Sequence, residues 1–190
     1  CVDRHLATRG EETAILWEPD DPAEDPRRIT YRELHAEVCR FANVLKAQGV
    51  EKGDRVTIYL PMIPEAAFAM LACARLGAIH SVVFGGFAAA ELAKRIEDAR
   101  PKLVVSASCG LEPGRVVAYK PLLDAAIEAS AHKPDVCLIL QRPQLAAELR
   151  PGRDRDFAQA EAEAAPHPPV PVPATDPLYV LYTSGTTGKP

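Results

Sequence analysis

The spacing of hydrophobic residues changes period several times along this 190-residue chain, and each change marks an element. Thr13 to Trp17 is a short, apolar, partly β-branched run. Arg27 to Tyr31 can return beside it, so the pair predicts a hairpin. The intervening Glu18 to Pro26 is crowded with prolines and acids and reads as an exposed loop. The period then becomes helical. Thr30 followed by Glu33 is a capping box, in which each side chain satisfies an orphan N–H of the first turn. Ile29 and Leu34 can staple the entry. Leu34, Val38, Phe41, Ala42 and Leu45 form one apolar stripe, and Gly49 supplies a left-handed stop.

Beyond this helix the pattern alternates. Arg55 to Leu60 reads as a strand, Pro64 to Leu76 as a helix ended by Gly77, and Ile79 to Phe84 as a second strand. Ala88 to Ala99 is a helix with Leu92 and Ile96 on one face, and Leu103 to Ser106 a third strand. Pro121 to Ser130 is a further helix, and Val136 to Leu140 a fourth strand. The strands are short and almost wholly apolar, as strands are when helices cover both faces of their sheet. Ala66 to Ala74 is apolar nearly all round and should be buried on more than one side. Such alternation predicts an α/β fold with a doubly wound, largely parallel sheet.

Gln141 to Thr175 interrupts the alternation. It contains an Ala/Glu tract from Ala158 to Ala165 and the run Pro166-His-Pro-Pro-Val-Pro-Val-Pro173. It is expected to pack no core and to run as an extended surface connection. Because an apolar strand, Leu178 to Tyr182, begins at once, the connection is read as wrapping one domain and not as linking two. The divisions are 1–52 (hairpin plus helix), 53–140 (α/β core), 141–175 (proline-rich connection) and 176–190 (strand and loop).

Composition narrows the function. Lys and Arg number 22 against 26 Asp and Glu, a net charge of −4, so there is no electrostatic footprint for nucleic acid or an anionic membrane. No run approaches the ~20 apolar residues of a membrane helix. The five cysteines are an odd number at long gaps, which predicts buried free thiols in a reducing, cytoplasmic setting. Cys109 has no His or Asp near it in sequence to lower its pKa, so a nucleophilic role is disfavoured. The first residues lack an initiator Met and an apolar signal segment, and Pro190 falls inside a glycine-rich stretch, so a fragment is expected.

That stretch, Asp176-Pro-Leu-Tyr-Val-Leu-Tyr-Thr-Ser-Gly-Thr-Thr-Gly-Lys-Pro190, carries the most chemistry. Glycines let successive backbone N–H groups converge on one anion. The hydroxyls of Thr183, Ser184, Thr186 and Thr187 add neutral donors, and Lys189 adds a positive charge. The Walker loop is excluded by its spacing: only two residues separate Gly185 from Gly188, and Pro190 follows the lysine. By residue chemistry alone, a phosphate cradle and a plain polar turn both remain open.

Tyr182-Thr-Ser-Gly-Thr-Thr-Gly-Lys-Pro190 is similar to the phosphate-binding motif of the adenylate-forming superfamily. Nearly the whole chain resembles its short-chain acyl-CoA synthetases, the acetate- and propionate–CoA ligases. The likeness is carried by Asp3-Arg-His-Leu6, Ile29-Thr-Tyr-Arg-Glu-Leu34, Gly53-Asp-Arg-Val56, Tyr59-Leu-Pro-Met-Ile-Pro-Glu-Ala66, Met70-Leu-Ala-Cys-Ala-Arg-Leu-Gly77 and His80-Ser-Val-Val-Phe-Gly-Gly-Phe87. The resemblance implies that Thr183, Ser184, Gly185, Thr186, Thr187, Gly188 and Lys189 hold the phosphates of ATP with Mg²⁺. It implies that Phe84, Gly85 and Gly86 border a coenzyme A tunnel. Acetate enzymes place Arg-Gly-Gly-Arg where this chain has Glu112, Pro113, Gly114 and Arg115, so Gly114 and Arg115 match a coenzyme A contact while Glu112 would repel a phosphate. Ser106-Ala-Ser-Cys-Gly-Leu-Glu-Pro-Gly-Arg115, Tyr119-Lys-Pro121 and Leu140-Gln-Arg-Pro-Gln144 look more like propionate–CoA ligases, so the acid stays open with a lean to propionate.

The implied activity uses ATP to turn a short carboxylate into acyl-AMP and pyrophosphate, then moves the acyl group to coenzyme A. The parts that complete the reaction in this family, including the acyl pocket and the catalytic lysine, have no counterpart before Pro190. No catalytic residue is therefore expected here, and the isolated chain should be inactive. The competing readings are a nucleotide-binding module without chemistry and an adenylation domain that loads a carrier protein.

Overall fold

The computed structural model describes residues 2–21, 23–165 and 167–183. A short 3₁₀ turn, Asp3–His5, runs into α1 (Leu6–Arg9), a start the hydrophobic pattern did not reveal. The predicted hairpin forms from β1 (Thr13–Trp17) and β2 (Arg27–Thr30), which pair antiparallel. Thr30 then caps α2 (Tyr31–Ala47) through a reciprocal box. Glu33 N–H donates to Thr30 Oγ1 at 3.2 Å, and Thr30 N–H donates to Glu33 Oε2 at 2.8 Å. Such a cap contributes about 1 kcal/mol.

The alternation beyond α2 appears as β3 (Arg55–Tyr59), α3 (Pro64–Leu76), β4 (Ile79–Val82), α4 (Ala89–Ala99) and β5 (Leu103–Ala107). Gly77 ends α3 in the left-handed conformation, φ 69°, as expected. The sequence between β5 and the next helix folds into a hairpin that the pattern did not predict, β6 (Cys109–Glu112) with β7 (Arg115–Ala118). Helix α5 (Tyr119–Ala129) follows, two residues earlier than the reading from Pro121, and then β8 (Val136–Leu140).

The expectation for 141–175 needs correction. Instead of running wholly extended, this segment adds a strand, β9 (Asp154–Asp156), beside β8, and a short helix, α6 (Phe157–Glu163), capped by the Asp156 side chain. Ala160 is buried, and the Phe157 ring packs 4.5 Å from that of Phe41 on α2. The polar sequence Arg153-Asp-Arg-Asp156 conceals this strand because its pairing is held by charge. The fully buried Asp154 carboxylate receives Arg153 at 2.7 Å and Lys120 at 2.8 Å. Burial alone would raise the Asp154 pKa, yet these hydrogen bonds hold it below the ordinary carboxylate range.

The rest of the connection does wrap the domain. Val170 N–H donates to the Arg75 carbonyl at 2.9 Å, Lys52 pairs with Asp176 at 2.8 Å, and β10 (Tyr179–Val180) joins the sheet at the edge opposite β9. Among the described residues the main sheet has the order β10-β4-β3-β5-β8-β9, and all its pairings are parallel. It is therefore an α/β fold built on a parallel sheet, as predicted.

Side chains alternate across it. Val56, Ile58, Leu103, Val105 and Leu138 face α2, α3 and α6 in one core, while Tyr59, Val104, Cys137 and Ile139 face α4 and α5 in the other. Strand β3 is followed by β4 on one side and, through α4, by β5 on the other. The winding reverses there. A crevice at the carboxyl ends of such strands is where doubly wound folds bind ligands.

Candidate functional site

Phe84, Gly85, Gly86 and Thr183 lie at that carboxyl edge. Phe84, Gly85 and Gly86 form the turn that leaves β4. Gly85 is buried and Gly86 exposed, and Phe84 turns outward with 64% of its surface open. The turn is fixed from below by Tyr59, the last residue of β3. Its hydroxyl reaches the Gly85 carbonyl at 3.2 Å and the Phe87 carbonyl at 3.1 Å. Burial, with a smaller contribution from Tyr119, pushes the Tyr59 phenol up to about 12, so it stays protonated as a donor.

Tyr119 locks the arrangement. Its ring stacks on Tyr59 with centroids 5.0 Å apart and fills the space beside Gly85 and Gly110. A Cβ on Gly85 would lie 2.2 Å from Tyr119 Oη, and one on Gly110 2.5 Å from Tyr119 Cε1. Both glycines are therefore required by close approach. Gly86 is crowded on its other side, because a Cβ there would stand 2.5 Å from Phe84 Cε1. Glycine at 85 and 86 is expected from the motif, but Tyr119, which demands it at 85, and Tyr59, which holds the turn's carbonyls, are not. The hydrophobic pattern places Tyr59 inside a strand ending at Leu60, and Tyr119 sits beyond a hairpin that the pattern does not predict.

Because Tyr119 directly follows β7, the base of the β6–β7 hairpin is docked against the glycine turn. Gly114 and Arg115 lie at the other end, in the hairpin corner, where Gly114 has φ 75°. The Arg115 guanidinium is turned onto Glu112 Oε2, with Nη2 at 2.5 Å and Nε at 2.9 Å. A groove of about 570 Å³ opens beside it, lined also by Asp20 and Asp21 of the loop between β1 and β2. The groove thus gathers three acidic residues around one that carries a cation. Glu112 holds the Arg115 guanidinium in an ion pair, and Asp20 and Asp21 line the same groove, a neighbourhood the sequence pattern did not reveal.

Thr183 is exposed and leaves the sheet at the same edge. Val180 pairs with Ser81, so the chain leading to Thr183 runs parallel to the chain leading to Phe84. Ser184, Gly185, Thr186, Thr187, Gly188 and Lys189 lie outside the described residues. Cys109 is fully buried in β6. Cys39, Cys73, Cys109 and Cys137 are free thiols, and burial pushes Cys73 and Cys137 up to about 12. No helix among the described residues is long and apolar enough to cross a membrane.

The family model described as AMP-binding enzyme matches residues 2–190. The chain belongs to that family. Its relatives include an uncharacterized protein of Pseudomonas aeruginosa, 58% identical over the whole of this chain and 30% of its own length. Two proteins named acetyl-coenzyme A synthetase are 56% identical in Novosphingobium aromaticivorans and 54% in Methylorubrum extorquens, again over the whole chain and 29% of their own lengths. The chain thus spans a little under a third of the relatives it matches. Within an AMP-binding enzyme, the carboxyl edge described above places the Phe84–Gly86 turn, the hairpin base and the strand entering Thr183 side by side.

Proposed function

We propose that the full-length protein is a short-chain acyl-CoA synthetase acting on acetate or propionate. The observation that most supports this reading is the convergence, at one edge of a parallel sheet, of a clamped glycine turn and the strand that feeds Thr183-Ser-Gly-Thr-Thr-Gly-Lys189. In the first step a carboxylate oxygen attacks the α-phosphorus of ATP. The bond to pyrophosphate breaks, and a mixed anhydride with AMP forms. In the second, the thiol of coenzyme A attacks the acyl carbonyl, loses its proton and expels AMP.

Residues 183–189 serve the first step as donors to the triphosphate. Backbone N–H groups, hydroxyls and the Lys189 ammonium oppose its charge, a preorganised electrostatic role and not a basic one. Mg²⁺ comes with the nucleotide and belongs to the substrate. Phe84, Gly85 and Gly86 serve the second step as the turn along which a thin pantetheine arm passes. Gly114 and Arg115 offer a single cation to the nucleotide end of coenzyme A, with Glu112 competing for it. The likeness of the 106–121 segment to propionate–CoA ligases favours propionate, while the names of the matched relatives favour acetate.

The deciding experiment is a panel of acetate, propionate and butyrate on the full-length protein, scored by kcat/KM, with Lys189→Ala beside it. Acetate or propionate should lead, and Lys189→Ala should slow ATP–pyrophosphate exchange on the order of a hundredfold. Preference for butyrate or longer acids overturns the short-chain reading. ATP binding without any pyrophosphate exchange would instead mark a nucleotide-binding module.

A further inference from the structure

Arg95 has no place in the reading so far, yet its position is unusual. It lies on α4, with 8% of its surface exposed, in the layer that covers the sheet. Its guanidinium carbon stands 4.7 Å from the Phe87 ring centroid and 5.0 Å from that of Tyr182. Nη1 donates to the Glu91 carboxylate at 3.0 Å and to the Glu91 carbonyl at 3.2 Å. A buried charge costs stability that a methionine of similar volume would not. What arginine adds is a flat cation able to stack on aromatic rings.

The two rings belong to segments far apart in sequence. Phe87 ends the turn begun by Phe84, Gly85 and Gly86. Tyr182 immediately precedes Thr183. A second anchor on the same helix holds only the latter segment: the Tyr182 hydroxyl donates to Asp98 Oδ2 at 2.6 Å. Burial first, and then the carboxylate, raise the Tyr182 pKa, so the phenol remains a donor.

The geometry points to Arg95 and Asp98 as positioning residues that set the coenzyme A turn and the start of the ATP loop in one frame. Arg95 is shared by both segments, and Asp98 serves the nucleotide side alone. The inference rests on the functional reading above and names a control point for it. Neither residue touches a reacting atom. Each acts through an aromatic side chain adjoining a substrate segment.

The test uses the full-length protein and reads the two half-reactions separately. ATP–pyrophosphate exchange without coenzyme A gives the KM for ATP, and thioester formation gives the KM for coenzyme A. Arg95→Met should raise both KM values on the order of tenfold, the equivalent of one lost cation–π anchor on each segment. Arg95→Lys should recover only part, because an ammonium cannot lie flat on two rings. Asp98→Ala and Tyr182→Phe should raise the KM for ATP and leave that for coenzyme A unchanged, and they carry the test if Arg95→Met fails to fold. A residue that only stabilises α4 would lower the active fraction, and so kcat, with both KM values fixed. That result in an otherwise active enzyme overturns the inference alone. A wild-type protein without pyrophosphate exchange overturns the functional reading and the inference together.

Discussion

Replacing Gly85 with alanine tests the close approach on which the candidate site is built. The added methyl would stand 2.2 Å from Tyr119 Oη and 2.9 Å from two atoms of the ring. Tyr119 cannot retreat freely, because Tyr59 stacks on it and Gly110 lies against its edge. Overpacking of this kind costs about 1–3 kcal/mol. Displacing the ring also weakens a stacked aromatic pair worth about 0.5–1.5 kcal/mol. The combined loss is about 2–4 kcal/mol, concentrated in the segment whose carbonyls at Gly85 and Phe87 depend on Tyr59. Hydrogen exchange of the peptide spanning Val83 to Phe87, in the full-length protein, reads this directly. Protection there should fall about 30-fold to several-hundredfold, at tenfold per ~1.4 kcal/mol. Removing the nearest atom should relieve part of the strain, so Gly85→Ala/Tyr119→Phe should exchange more slowly than Gly85→Ala alone. If Gly85→Ala leaves protection unchanged, or the second substitution brings no recovery, the packing argument is wrong.

Three further outcomes follow from other parts of the molecule. Glu112→Gln should lower the KM for coenzyme A several-fold by freeing Arg115, whereas Arg115→Ala should raise it, and steady-state kinetics of the full-length protein check both. Lys120→Met removes the cation shared by Asp124 and the buried Asp154, at 2.7 and 2.8 Å. It should destabilise by about 3 kcal/mol, with Asp154→Asn in the same chain restoring part of the loss in thermal unfolding. Burial holds the His80 imidazole below its ordinary 6.5, and its Nδ1 has no partner among the described residues. The folded state therefore favours neutral His80, while the unfolded chain takes up a proton near 6.5. This contribution is full above that pH and fades as the pH falls. His80→Gln should accordingly show a shallower loss of denaturant midpoint between about pH 7 and pH 5.

Local chemistry determined much of this protein before any contact was known. The Thr30–Glu33 box, the stripe from Leu34 to Leu45, the stop at Gly77 and the short apolar strands each depend on neighbours within a few residues, so their spacing in the sequence was sufficient. The pair Gly85–Gly86 was likewise visible, because only a few residue types suit backbone that must lie close to another group. Tertiary structure alone decided the rest. Strand β9 is polar and exists because Lys120, from elsewhere in the chain, joins the adjacent Arg153 in neutralising Asp154. Gly85 is required by Tyr119, whose ring arrives from beyond the β6–β7 hairpin, and Arg95 joins Phe87 to Tyr182 although those two residues lie far apart in sequence. Long-range pairing of charges and rings leaves no periodic trace, since its partners meet only after the sheet has brought them together.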